Sequence, residues 1–268
     1  MNAAAPTDLP DLIVVGGGSA GCAMAARLAE AGRSVVLLEA GKSDDTLRLR
    51  IPALSYSVVS NPDYDWGYQG EADPSVDGRA DKWPAGRRLG GGSAVNGMIY
   101  VRGHAWDYDH WAELGATGWS AAEVWPYFKR METFEDGANA WRGDAGPIHV
   151  ERNRMRYPIV DAYIDAAVAC GIPRNPDHNG ALSGEGTDYA QATLERGLRC
   201  SAAQGYLARL AGRGAPGALF FFFSRPAPHP PRARPGRRRR VGGTGPHAHA
   251  ARPQWRRARR RQPARHAC

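Results

Sequence analysis

No run in this chain approaches the 18 or more consecutive apolar residues that a membrane-spanning helix needs. The N-terminus also lacks the basic segment of a secretory signal and carries Asp8 and Asp11 around the start of its first apolar run instead. Cysteine is sparse. Cys22, Cys170, Cys200 and Cys268 are scattered, with no C-x-x-C pair and no metal-ligand spacing. This excludes a disulfide-stapled scaffold, gives no metal site, and reads as reduced thiols in a cytoplasmic protein. A third shortage is local: residues 213–268 contain 15 Arg but no Asp, Glu or Lys. The overall charge of +8 therefore misdescribes the rest, because residues 1–212 carry about −7. The globular part is acidic, and no nucleic-acid partner is expected for it.

What the chain does have is a complete β-α-β pattern near its start. Residues 12–15 are a short, uncharged, mostly β-branched run, the pattern of a strand buried on both faces. Gly16, Gly18 and Gly21 then form G-x-G-x-x-G, and residues 22–31 are Ala-rich, with Met24 and Leu28 one turn apart on a helix suited to packing on a sheet. Gly32 supplies the stop. A second apolar run, 35–38, ends in Glu39. Each residue type has a job if an adenine dinucleotide lies across the turn. Gly16 permits the tight turn, Gly18 removes the side chain that would block the pyrophosphate, and Gly21 allows close packing of helix and strand. The helix N-terminus then faces the phosphates, where its unpaired N-H groups favour an anion, and Ser19 and Ala20 complete the turn that would hold them. Glu39, followed by Ala40, can accept hydrogen bonds from ribose hydroxyls and would repel a 2′-phosphate, which argues for FAD or NAD over NADP.

Residues 86–103, GRRLGGGSAVNGMIYVRG, are the second informative stretch. Gly90, Gly91 and Gly92 followed by Ser93 let backbone approach a flat ligand, and Asn96 adds an amide that both donates and accepts. This run resembles the first signature of the glucose-methanol-choline (GMC) oxidoreductases, FAD-dependent alcohol dehydrogenases and oxidases. The runs 63–68 (DYDWGY), 107–111 (DYDHW), 118–120 (GWS), 125–132 (WPYFKRME), 146–150 (GPIHV), 179–180 (NG) and 199–207 (RCSAAQGYL) are similar to family motifs in family order, so the resemblance covers about residues 10–210.

The resemblance implies an α/β fold. A Rossmann-type FAD-binding domain with a parallel sheet would occupy residues 1–150, and an α+β substrate-binding domain would begin over 151–212. It also implies that Gly16, Gly18, Gly21 and Glu39 hold the ADP half of FAD. Leu89, Gly90, Gly91, Gly92, Ser93, Asn96, Gly97, Met98 and Ile99 would line the isoalloxazine. Some members link the flavin through a His one place before the Asn; Val95 stands there, so non-covalent FAD is expected. The implied reaction passes hydride from a primary alcohol to flavin N5, choline dehydrogenase-like, with the electron acceptor open. The rivals are a nicotinamide enzyme using only the first β-α-β unit and a non-catalytic binding protein whose basic tail carries the function.

Residues 44–79 read as a long aromatic-rich excursion over the surface, packing rather than a cover over a cofactor. Residues 119–130, with Ser120 as N-cap and Val124, Tyr127 and Phe128 as a stripe, and residues 157–170, with Val160, Tyr163, Ile164, Ala167 and Val168, read as core-facing helices. His104, His110, His149 and His178 match no family base position, so no catalytic residue is assigned. Residues 213–268 should be disordered. Their composition fits a GC-rich gene read out of frame better than a selected basic arm, and His247 with His249 lacks the third ligand of a metal site. On the family pattern the catalytic C-terminal half is missing, and the chain as written is expected to be inactive.

Overall fold

The computed structural model describes residues 9–59, 61–181, 186–212 and 219–223, all within one compact unit, Met1–Pro226. β1 (Leu12–Val15) runs through the glycine turn into α1 (Ser19–Glu30), which returns through Gly32 at φ +78° to β2 (Val35–Glu39). The strands are parallel, with Leu12 opposite Val35 and Val15 opposite Leu38. α1 begins three residues earlier than the Ala-rich run suggests, directly after Gly18. Its buried face is Cys22, Ala25, Ala26 and Ala29, while Met24 is 56% exposed. Small side chains let the helix lie close on the sheet, where Val14, Val35 and Leu37 meet them. The expectation that β1 is buried on both faces is corrected. Val14 is buried under α1, but Ile13 is 60% and Val15 82% exposed, because no described residue covers the opposite face.

The excursion after β2 carries α2 (Leu47–Arg50), a 3-10 turn at Pro52–Ser57, and an antiparallel pair of two-residue strands, β3 (Tyr68–Gln69) and β4 (Lys82–Trp83). α3 (Ala105–Glu113) is capped by His104, whose Nδ1 accepts the Trp106 N-H while Asp107 accepts the His104 N-H. α4 (Ala121–Met131) starts at Ser120, whose N-H and hydroxyl both donate to Glu123. The cap is as the sequence suggests; the core-facing stripe is not. α4 has no buried residue, Tyr127 is 64% exposed, and Val124, Tyr127 and Phe128 instead line an apolar cavity of about 440 Å³ with Tyr108, Trp119 and Met131.

β5 (Glu132–Phe134) and β6 (Ile148–Val150) pair in parallel. α5 (Pro158–Ala169) ends before Gly171 at φ +89°, yet of its expected stripe only Ile164 is buried and Tyr163 is 71% exposed. The apolar pattern marks both helices correctly, but among the described residues most of these side chains are not buried. A tight hairpin of β7 (Leu194–Glu195) and β8 (Leu198–Arg199) leads to a π-helical turn, Ala203–Ala208, and α6 (Arg209–Gly212). The π turn packs on α1 through Ala203 and Leu207.

Finally β9 (Leu219–Phe223) adds to β2 in parallel, completing the order β1-β2-β9. Five residues of the segment expected to be disordered therefore form a strand, for which an uninterrupted Leu-Phe-Phe-Phe-Phe run is well suited. The rest of that segment, with its His247 and His249, lies outside the described residues.

A second centre of order is ionic. Glu132, fully buried, accepts from Arg102 and, through both oxygens, from Arg142 at 2.9 and 3.0 Å. Arg142 also donates to Asp177 and to Gln191, and Gln191 in turn accepts from Asn179. This network joins five separated segments.

Candidate functional site

The turn between β1 and α1 is made by glycines with distinguishable roles. Gly16 sits at φ +93°, a conformation side chains disfavour. A Cβ on Gly21 would lie 1.8 Å from the Gly16 carbonyl oxygen, so only glycine lets the helix close on the strand. A Cβ on Gly18 would meet no protein atom within 4 Å. Gly18 is thus bare toward open space, as a site for an approaching ligand requires. α1 has no side-chain cap and no acid in its first turn, which leaves the N-H groups of Ser19, Ala20 and Gly21 as its positive end.

Glu39 ends β2 with its carboxylate buried, accepting the N-H of Gly17 at 2.7 Å and of Gly41 at 2.6 Å. It fixes the turn against the strand end. Beside it, the Leu89 side chain joins the α1 core, and the Gly90 N-H donates to the Gly17 carbonyl at 2.7 Å. Gly91, at φ +52°, approaches so closely that a Cβ there would lie 2.7 Å from the Gly18 Cα. The two glycine-rich stretches, separated by some seventy residues of sequence, are one surface.

That surface walls a cavity of about 850 Å³ lined by Gly16, Gly18, Glu39, Ala40, Gly91 and Gly92. Ser93, Asn96, Gly97, Met98 and Ile99 continue the loop without lining it. The Ser93 hydroxyl donates to Gly90 O and accepts the Ala202 N-H, Asn96 Oδ1 accepts the Met98 N-H, and Ile99 bridges to Ala192. Met98 holds φ +63° with its side chain buried. The expectation that the aromatic excursion only packs is corrected. Trp66 and Tyr68, stacked at 6.1 Å, line the same cavity with Pro84, Ala85 and Gly86. The DYDWGY run was the available signal. Asp65 holds this wall, accepting from Gly67 and Ala85 N-H groups.

Behind the site, Asp44 is buried and receives Ser201 Oγ and Gln204 Nε2. Burial raises its carboxyl above the usual range, and the two hydrogen bonds only partly offset this. Burial likewise pushes the Cys22 thiol up to about 12 and Cys200 to about 11, so neither is a nucleophile. The four described histidines have structural partners: His104 caps α3, His110 stacks on Trp106, His149 faces Arg209 and Glu195, and His178 meets the Tyr100 carbonyl. Among the described residues no group of three or more His, Cys, Asp or Glu is placed to hold a metal, and no helix is long and apolar enough to cross a membrane.

A parallel β-α-β unit with a bare glycine turn, an acid at the second strand end and a second glycine loop closing over the turn defines a dinucleotide-type site. The GMC oxidoreductase family model matches residues 10–216, and the chain belongs to that family. It is 44% identical over 198 residues to an oxygen-dependent choline dehydrogenase of Brucella anthropi, covering 74% of this chain and 36% of that protein. Among solved structures, pyridoxine 4-oxidase from "Mesorbium loti" superposes with TM-score 0.72 at 33% identity, over 80% of this chain and 42% of that one. An FAD-dependent oxidoreductase from Chaetomium thermophilum gives 0.68 at 25% identity, over 79% and 38%. The chain thus spans little more than a third of the curated relative's length.

Proposed function

We propose that this chain carries the FAD-binding portion of an oxidoreductase that acts on the CH-OH group of primary alcohols, choline-like alcohols among them. The observation that carries the reading is the junction of Gly16, Gly18 and Gly91 in one cavity, whose bare face at Gly18 fits the close approach of a pyrophosphate. The N-H groups of Ser19, Ala20 and Gly21 would receive the pyrophosphate. Glu39 has two oxygens, each already accepting one N-H, and a carboxylate retains capacity for ribose hydroxyls. Ala40 flanks it. Leu89, Gly90, Gly91, Gly92, Ser93, Asn96, Gly97, Met98 and Ile99 would form the flavin side, with FAD held non-covalently since Val95 offers no linking atom. When bound, FAD supplies the hydride-accepting chemistry. This chain's residues bind it, orient it and, through Trp66 and Tyr68, shield one side of the cavity from water. The division into an FAD-binding part to residue 150 and the opening of a substrate-binding part over 151–212, and a cytoplasmic location, belong to the same proposal.

Equilibrium dialysis of the purified chain against FAD, FMN, NAD and NADP tests it. FAD should be retained at one per chain, in preference to the others, and released on denaturation with an unchanged flavin spectrum. Retention of NAD in preference to FAD would return the site to a nicotinamide enzyme.

A further inference from the structure

Arg199 is 2% exposed, and none of its hydrogen bonds among the described residues goes to a carboxylate. Its guanidinium donates to Leu49 O at 2.9 Å, Ser93 O at 3.2 Å, Asn96 Oδ1 at 2.9 Å and Ser55 Oγ at 2.9 Å. Every acceptor is a neutral oxygen. The other deeply buried arginines differ. Arg102 and Arg142 share Glu132, and Arg88, which donates to carbonyls of Ser43 and Asp63, feels the charges of Asp63 and Asp44. Burial lowers the Arg199 guanidinium to about 10, and among the described residues no carboxylate offsets it. A cation held in the interior by neutral oxygens alone costs stability.

The position of that cation is specific. Two of the four acceptors, Ser93 and Asn96, belong to the loop whose Gly91 and Gly92 line the dinucleotide cavity. Asn96 Oδ1 takes donors from Arg199 and from the Met98 N-H. The amide oxygen is therefore turned to the interior, and the exposed Asn96 presents its NH₂ as a donor. Donation from a charged group polarises the amide it holds and strengthens that donor.

We propose that Arg199 is an electrostatic positioning residue: from behind Ser93 and Asn96, which follow directly on the cavity-lining Gly91 and Gly92, its buried cation favours the reduced, anionic form of FAD over the oxidised form. The inference rests on the FAD reading above. Reduction by hydride adds one proton and two electrons to the neutral oxidised ring and so adds one negative charge. A fixed positive charge that costs no reorganisation favours the state in which that charge has appeared.

The experiment measures dissociation constants of the full chain for oxidised FAD and, without oxygen and with excess dithionite, for reduced FAD. The wild-type chain should bind reduced FAD more tightly; equal or weaker binding overturns the proposal whatever any variant does. Arg199→Gln, which keeps donors but no charge, should reduce that preference by on the order of tenfold, whereas Arg199→Lys should keep most of it. Equal weakening of both forms in R199Q, or loss of the preference in R199K as well, makes Arg199 a shaper of the loop only and overturns its electrostatic role. A wild-type chain that binds neither form fails the FAD reading itself, and this inference with it. Near-UV circular dichroism identifies variants that have lost the fold, in which case the wild-type comparison decides.

Discussion

Around the glycine turn, main-chain atoms meet main-chain atoms: Gly90 N-H on Gly17 O, a Gly91 with no room for a side chain against Gly18, a Gly21 closed on Gly16. Around Glu132, charged side chains do the joining, with Arg102, Arg142, Asp177, Gln191 and Asn179 tying distant segments together. The two regions fail differently. Backbone contacts between glycines leave unfilled space and directed N-H groups, which suits recognition, and they tolerate no added atom on the packed side. A buried ionic network tolerates no lost partner, because each removal strands a charge that has already left water.

The largest effect should therefore come from Glu132→Ala, which strands Arg102 and Arg142 together. Urea denaturation should show a loss of about 3–5 kcal/mol, a large share of the roughly 5–15 kcal/mol of a native domain. Next is Gly21→Ala, whose Cβ would lie 1.8 Å from Gly16 O; helix and strand must separate, costing at least about 1–3 kcal/mol. Its control sharpens the contrast. Gly18→Ala has φ −72° and no atom in its way, so thermal stability should change by less than about 0.5 kcal/mol while FAD retention in dialysis falls sharply. If both glycine variants lose stability equally, the distinction between a packing glycine and a ligand-facing one is gone.

A loss no larger than that of Gly21→Ala belongs to Glu39→Gln. One of its two acceptor oxygens becomes an NH₂ facing a backbone N-H of Gly17 or Gly41, and calorimetry should register about 1–3 kcal/mol. The smallest effect is pH-dependent. Burial, with the Arg209 charge added and Glu195 and Glu151 partly opposing, lowers His149 below its ordinary 6.5. Its folded-state pKa is depressed, so its contribution to stability is present above about 6.5 and is lost as pH falls through the folded value. A denaturation series from pH 7.5 to 5 should show this decline, and His149→Gln, which can still accept from Arg209, should flatten it. An unchanged slope in the variant would assign the decline to other groups.

These contrasts also explain what could be read from the chain beforehand. The β-α-β unit was legible because its signals are local: three spaced glycines, a helical Ala run and an acid after the second strand. The meeting of the two glycine stretches followed only from the family resemblance, since nothing in either run names the other. Which faces are buried was not legible. Met24 looked like a packing residue, yet the alanines pack, because close approach of α1 is set by Gly21 and by residues near 200. Ile13 and Val15 on β1, and Tyr127 and Tyr163 on α4 and α5, have the composition of a core without a described neighbour to make one. Arg199 and Glu132 carry ordinary charges in sequence; only the fold takes them out of water. The strand at Leu219–Phe223 is hidden in the sequence because the Arg- and Pro-rich composition around it outweighs five good strand residues.

That strand has a consequence for how the molecule comes into being. β2 lies between β1 and β9, but residues 40–218 intervene before β9 exists. The first β-α-β unit leaves the ribosome early, with the outer edge of Val35–Glu39 unsatisfied and apolar. It must wait for most of the described chain to be synthesised before its neighbour arrives. The entropy of closing so long a loop rises only slowly with length, but non-local pairing of parallel strands is the slow kind of folding event. Through that interval the newborn chain offers an open strand edge to any other chain nearby, and its survival depends on how quickly the intervening excursion collapses around the glycine turn.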